Sequence, residues 1–364
     1  MKEQYRPRIK KGSNLDLLLS HYQQHGTVHP KFLVHTDKNA DVWRIKFRDL
    51  EKKYKQSLEH NTELENALQA LTELRNSKVA AASISPKSQT KGSESIAVAL
   101  LSDVHFEEDV QPEKVLGSNE FNPKIARERL NNFFVNTLKM TKIQRGGTRI
   151  DTLVLALLGD LISGYIHDEL IESNHLSPIQ ACVQIQLCIK SGIEFLLKEG
   201  KFKKIIVPCC VGNHGRTTAK KQISTSTDNS FETMIYISLS EMFKEDKRVE
   251  FKIAKGYQII LTLWDNYKIR FHHGDAIRYG GGVGGITIPV NKKIANWNTR
   301  ETVDLDCFGH FHQFIDGGNF ISNGSLIGYG CYAFEIAAKF EDPKQAFFLI
   351  EKDKGKTIVA PILV

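Results

Sequence analysis

Thr152-Leu153-Val154-Leu155-Ala156-Leu157-Leu158-Gly159-Asp160 is an almost unbroken apolar run that stops at a glycine and a carboxylate. A run this short, closed by a turn signal, reads as a strand buried on both faces. The pattern occurs twice more. Ser95–Leu101 leads to Asp103-Val104-His105, and Ile205–Val211 leads to Gly212-Asn213-His214. Residues 123–143 and 178–198, lying between these runs, read as helices. Strand, polar tip and helix, three times over, predict an α/β sheet that presents functional groups at the carboxyl ends of its strands. Beyond residue 249 the apolar runs shorten, at 249–254, 257–263, 267–273, 303–308, 319–322 and 346–350. They predict a mostly β layer packed on the first, with a hairpin at Asp265-Asn266.

This second half carries two more polar islands, His272-His273-Gly274-Asp275 and Gly309-His310-Phe311-His312. The islands together offer carboxylates, a carboxamide and several imidazoles. Two divalent ions about 3.5–4 Å apart can activate a nucleophile and neutralise charge developing on a phosphate. Such a pair needs a shared carboxylate, neutral imidazoles and oxygen donors, a mixture that suits Mn, Fe, Zn or similar ions. In a strand, side chains two apart point the same way, so Asp103 can act with His105, and His310 with His312. By the same rule only one of His272 and His273 enters a common site. Glycine before Asp160, Asn213 and His310 permits close backbone approach. The chemistry expected of the set is metal-assisted phosphoester hydrolysis.

The residues and their order closely resemble the calcineurin-like metallophosphoesterase superfamily over roughly residues 95–330. The resemblance implies a four-layer αββα sandwich, two mixed sheets flanked by helices. It implies that Asp103, His105, Asp160 and His312 hold one metal, and that Asp160, Asn213, His273 and His310 hold the other. Asp160 would bridge the two. The choice of His273 rests on the family's ligand standing directly before glycine, with His272 as the alternative. His214 would stabilise the transition state or protonate the leaving oxygen. The cofactors implied are two divalent ions, Mn2+ foremost, with Fe, Zn, Ni or Mg as alternatives. Asn323-Gly324-Ser325 resembles a turn that supports the site. One departure is Ser163, where many relatives carry a charged residue. Another is Gly215-Arg216 after the Asn-His pair, where many have an acid.

The chain has 364 residues and a formal charge of +7, of which +6 falls in residues 1–95. That region reads as a helical extension over 1–76, then an Ala/Ser/Lys/Gly linker over 77–94, before the catalytic domain at 95–364. Ser13-Asn14-Leu15-Asp16 resembles a capping box, with Gly26 as a helix stop. Trp43, Phe47, Leu50, Tyr54, Ser57, Asn61, Leu64, Leu68 and Leu71 alternate four and three apart, a seam suited either to a homodimeric coiled coil or to packing on the same chain. A small helix-turn-helix-like unit over 15–55 is a further option. The basic excess suits a polyanion, DNA above all, though a solvated helix surface would look the same.

Arg216, Lys220 and Lys221 form a basic loop placed to contact substrate, with Arg216 able to clamp a phosphate. Tyr279–Gly285 reads as a flexible rim, and Lys292, Lys293, Trp297 and Arg300 suit a nucleic-acid backbone and a stacked base as well as an ordinary helix. A DNA-directed nuclease is therefore the leading expectation, similar to phage-encoded members of the family. The alternatives are a phosphodiesterase or phosphomonoesterase on a small nucleotide or phosphoprotein, and a DNA- or partner-binding protein with hydrolysis secondary. Six cysteines without CxxC pairs suggest reduced thiols in a cytoplasmic protein, and neither a secretory h-region nor a membrane-length apolar stretch is visible.

Overall fold

The computed structural model describes residues 24, 48–62, 65, 93–279 and 284–364. The chain divides into two compact units, Met1–Pro86 and Lys87–Val364. In the first, residues 48–62 are helical, and Leu50 and Tyr54 on the heptad seam are 61% and 65% exposed. Trp43, Phe47, Leu64, Leu68, Leu71, the Ser13–Asp16 capping box and Gly26 lie outside the described residues, as do linker residues 77–92 and rim residues 280–283.

In the second unit the three apolar runs form β1 (Glu94–Leu101), β2 (Arg149–Leu157) and β3 (Lys204–Cys209). They pair in parallel in that order, as connections through intervening helices require. Those helices are α1 (Pro123–Gln144) and α2 (Pro178–Gly200). Each starts on a side-chain cap followed by proline: Asn122 accepts from the Lys124 and Ile125 amides, and Ser177 closes a capping box with Gln180. β4 (Val249–Ile253), preceded by α3 (Phe231–Met242), extends the sheet beside β3. β10 (Lys344–Glu351) and β11 (Gly355–Leu363) add the opposite, antiparallel edge.

Burial on both faces explains why these strands lack alternation. Ala97, Ala99 and Leu101 of β1 point into the core beneath α1, α2 and α3. Ile96, Val98 and Leu100 point the other way, into a second core against Leu261, Ile269 and Phe271. The last three belong to a five-stranded sheet ordered β5 (Gln258–Leu263), β6 (Tyr267–His272), β7 (Leu305–Phe308), β9 (Phe320–Ser322), β8 (Ile315–Asp316). β5 and β6 form the expected hairpin, while β6, β7 and β9 run parallel. On its outer face α4 (Thr287–Asn298) buries Val290 and Ile294 against Phe308 and Phe320. Helices, mixed sheet, mixed sheet and helix give the four-layer αββα sandwich.

No disulfide joins cysteines among the described residues, and Cys209 and Cys210 enter cores on opposite sides of their sheet. No helix among the described residues is long and apolar enough to cross a membrane.

The first two helices pack so closely that Gly192 of α2 has no room for a side chain. A Cβ there would lie 2.2 Å from the Phe134 ring of α1. Gly192→Ala is expected to cost about 1–3 kcal/mol through this overpacking. Urea unfolding checks it, and unchanged stability would contradict the packing.

Candidate metal centre

The five islands lie at or just beyond the carboxyl ends of β1, β2, β3, β6 and β7. Their side chains converge into two groups, Asp103 with His105 and His312, and Asp160 with His273 and His310. Within each group the candidate ligand atoms lie within 4.8 Å of one another. His312 Nε2 is 3.3 Å from Asp103 Oδ1, and His273 Nε2 is 2.9 Å from Asp160 Oδ2. The Asn213 carboxamide joins the second group, its Oδ1 lying 3.1 Å from His273 Nε2.

The strand-period geometry expected for these residues is not the one the chain uses. β1 ends at Leu101 and β7 at Phe308, so Asp103, His105, His310 and His312 all lie past their strands. Asp103 (φ 52°), His105 (φ 50°), Asp160 (φ 49°), His310 (φ 71°) and His312 (φ 53°) adopt the left-handed conformation. Non-glycine residues pay for that conformation with steric strain, and such residues cluster at functional sites. Backbone bonds hold it here. The Asp160 carbonyl accepts from the Val104 and His105 amides at 2.8 and 3.1 Å, and Gly159 O accepts from Asp103 N at 3.1 Å.

The donor set fits a pair of divalent ions. Both carboxylates are buried, and His105 Nε2 is a buried ring nitrogen without a hydrogen-bond partner among the described residues. Its other nitrogen, Nδ1, lies 2.7 Å from Ser163 Oγ and 3.1 Å from Glu108. His273 Nδ1 lies 2.8 Å from the Leu158 carbonyl, which leaves Nε2 to the centre. An acceptor behind one nitrogen and a free nitrogen in front is how ligating imidazoles are oriented.

His272 takes the opposite face of β6. It stacks on Phe308 at 5.1 Å and on Tyr257 at 5.6 Å, and meets Trp297 at 4.9 Å. Trp297 therefore packs inward, also beneath the buried Arg270 guanidinium, and does not offer a platform for a base.

The basic loop also departs from expectation. Arg216 donates to three carbonyls of its own loop, those of Asn213 (2.7 Å), Thr218 (3.1 Å) and Ala219 (3.4 Å). All three guanidinium nitrogens hold the turn that carries Asn213, so the expected phosphate clamp is instead a loop staple. Lys221 pairs with Asp275 and lies over the Tyr257 ring, while Lys220 is exposed.

Several supporting residues escaped sequence reasoning. Glu232, in the first turn of α3, accepts the Leu161 and Gly212 amides, each at 2.6 Å, and so joins the Asp160 loop to the Asn213 loop. Glu107 accepts the Ser163 and Gly164 amides at 3.0 and 2.8 Å. Ser102 Oγ donates to Asp103 at 2.5 Å and accepts from Asn323 at 2.8 Å, so Ser102 is the missed link through which the expected Asn323 turn braces the first carboxylate. None of these contacts has a local spacing signal, because each joins residues far apart in the chain or depends on a loop's exact path.

Burial and charge shift the site in opposing directions. Burial alone would raise Asp103, but the His312 hydrogen bond and charge bring it below the usual range. Asp160 is held well below it, chiefly by His273 and His214 working against burial. Burial opposes a proton on His105 and His273, yet Glu108 lifts the first to about 9 and Asp160 the second to about 10. Burial lowers His214 and His310 to about 4 each. Burial, with the Asp160 charge, pushes Glu232 up to about 8.

No family profile matches the sequence, and no curated protein does. Among solved structures, a dimetal phosphatase from Danio rerio is similar at 10% identity and a TM-score of 0.36, over 74% of this chain and 98% of the other. The sulfate thiohydrolase SoxB from Thermus thermophilus is similar at 10% identity and TM-score 0.30, over 74% and 57%. The calcineurin-like phosphoesterase YfkN from Bacillus subtilis is similar at 12% identity and TM-score 0.30, over 74% and 92%. At such low scores these likenesses transfer no residue role and no activity to this chain. The αββα layering observed is the one that the resemblance read from the five islands implied.

Glu107 yields a test by pH. Burial pushes its carboxyl from 4.5 up to about 7, so between these values the folded protein holds a proton that the unfolded chain has lost. Stability therefore falls as pH rises through that window, by on the order of 3 kcal/mol from this group. Glu107→Gln keeps an oxygen for both amides and removes the charge, so its urea midpoint should lose that part of the pH dependence. Identical pH profiles for the two proteins would refute the assignment.

Proposed function

We propose that this protein is a dinuclear metal-dependent phosphoesterase that hydrolyses phosphodiester bonds, with DNA as the leading substrate. The observation that carries the chemistry is the convergence of Asp103, His105 and His312 beside Asp160, His273 and His310. Bound there, two divalent ions, manganese in this proposal, would polarise phosphoryl oxygens and supply a nucleophile at neutral pH. The chain's own groups hold and orient. Asp160 is the proposed bridging ligand, and Asn213 completes the second group. His214 lies edge-on to His105, with ring centroids 4.8 Å apart, where it can donate a hydrogen bond to a transition-state oxygen. Asp103, Asp160, His105 and His273 are buried, whereas His310 and His312 reach the surface, where water and substrate can approach.

DNA is favoured by the basic excess of residues 1–95, which would add salt-dependent affinity for a polyanion and, through the heptad seam, a dimer. A second reading, a small nucleotide or phosphoprotein as substrate, is favoured by the commitment of Arg216 to its own loop and of Lys221 to Asp275.

Purified protein with Mn2+ should cleave DNA and bis-p-nitrophenyl phosphate, and Asp160→Ala should abolish both activities. Turnover of p-nitrophenyl phosphate without cleavage of single-stranded DNA, double-stranded DNA or RNA would sink the nuclease reading. Retained cleavage by Asp160→Ala would sink the metal centre itself.

A further inference from the structure

Glu108 lies in the loop after β1, three residues past the candidate ligand His105, with its side chain 20% exposed. One of its carboxylate oxygens receives the Ser163 hydroxyl and stands 3.1 Å from His105 Nδ1. Ser163 Oγ is itself 2.7 Å from that nitrogen. Glu108, Ser163 and the back of the His105 ring thus close a triangle.

Its consequence follows from donor and acceptor counts. A serine hydroxyl alone can give or take a hydrogen bond, so it leaves the neighbouring imidazole free to place its proton on either nitrogen. An ionised carboxylate only accepts. With the Ser163 proton directed to Glu108, every atom behind His105 Nδ1 is an acceptor, and Nδ1 must be the donor. His105 Nε2, buried and without a hydrogen-bond partner among the described residues, is then the nitrogen that yields its proton to a metal ion and turns its lone pair toward Asp103 and His312. The second group reaches the same end with the Leu158 carbonyl behind His273 Nδ1. A main-chain carbonyl is fixed in role; Glu108 is a side chain that the sequence had to supply.

We propose that Glu108 is a positioning residue which, through Ser163, holds the His105 proton on Nδ1 and so presents Nε2 to one of the two metal ions. The proposal rests on the dinuclear reading of the site. It assigns Glu108 to the Asp103–His105–His312 group alone and predicts that the other group is indifferent to it.

Calorimetric titration of the full chain with Mn2+ tests this. The wild type should show two binding events. Glu108→Ala should weaken one of them about 10–100-fold and leave the other within about twofold. Glu108→Gln retains an accepting oxygen and should fall between the two. Ser163→Asp in the Glu108→Ala background returns a carboxylate within reach of Nδ1, and should restore most of the lost affinity; a merely structural role would not be rescued this way. If Glu108→Ala is too unstable to titrate, Glu108→Gln and the double variant carry the test. Two intact events in Glu108→Ala, equal weakening of both, or no rescue would overturn the role of Glu108 and leave the dinuclear site standing. A wild type that binds no Mn2+ would overturn both.

Discussion

Asp103 and Asp160 are buried carboxylates of one sheet whose partners belong largely to the other. An isolated buried carboxylate is costly, so each has to be surrounded by donors. Both oxygens of Asp103 lie 3.0 Å from the His310 amide, and one takes the Ser102 hydroxyl. Asp160 accepts the His214 amide at 2.7 Å and faces His273. The need to satisfy two charges in one seam fixes how the sheets meet at their carboxyl ends, and the rest of the centre follows from that junction.

Close approach is one result. A Cβ on Gly212 would stand 2.1 Å from Asp160 Oδ1, so the Asn213 loop can lie against the carboxylate only with glycine at that position. Strain is another. Five candidate ligands hold left-handed backbone, and each costs on the order of 1–2 kcal/mol for a non-glycine residue. The bonds that restrain them run between motifs: Asp103 N to Gly159 O, and Leu326 N to Asp103 O, both near 3 Å. Stability from the two cores is thereby converted into preorganised ligand geometry, with Glu232 and Glu107 fastening the loops from behind.

How much of this the sequence discloses depends on whether the cause is local. β1, β2 and β3 were legible because burial on both faces leaves an apolar run, and α1 and α2 because amphipathic helices join parallel strands. The two-residue β8 is too short to carry such a run, and the edge strand β11, whose apolar stretch is half-exposed and interrupted by Pro361, was not visible. The candidate ligand types stand out at the strand ends, whereas the left-handed turns that aim them do not. The strand rule showed that His272 and His273 part company but not which turns inward. Arg216 looked like a substrate residue because no local pattern reports that three carbonyls curl around it. Glu108 and Glu232 were hidden for the same reason: their partners are assembled by the fold.

Whether these side chains hold two ions side by side is read most directly by anomalous diffraction from crystals grown with Mn2+. Two peaks should appear about 3.5–4 Å apart, one against Asp103, His105 and His312, the other against Asp160, Asn213, His273 and His310. A single peak, or ions bound away from these residues, would contradict that arrangement.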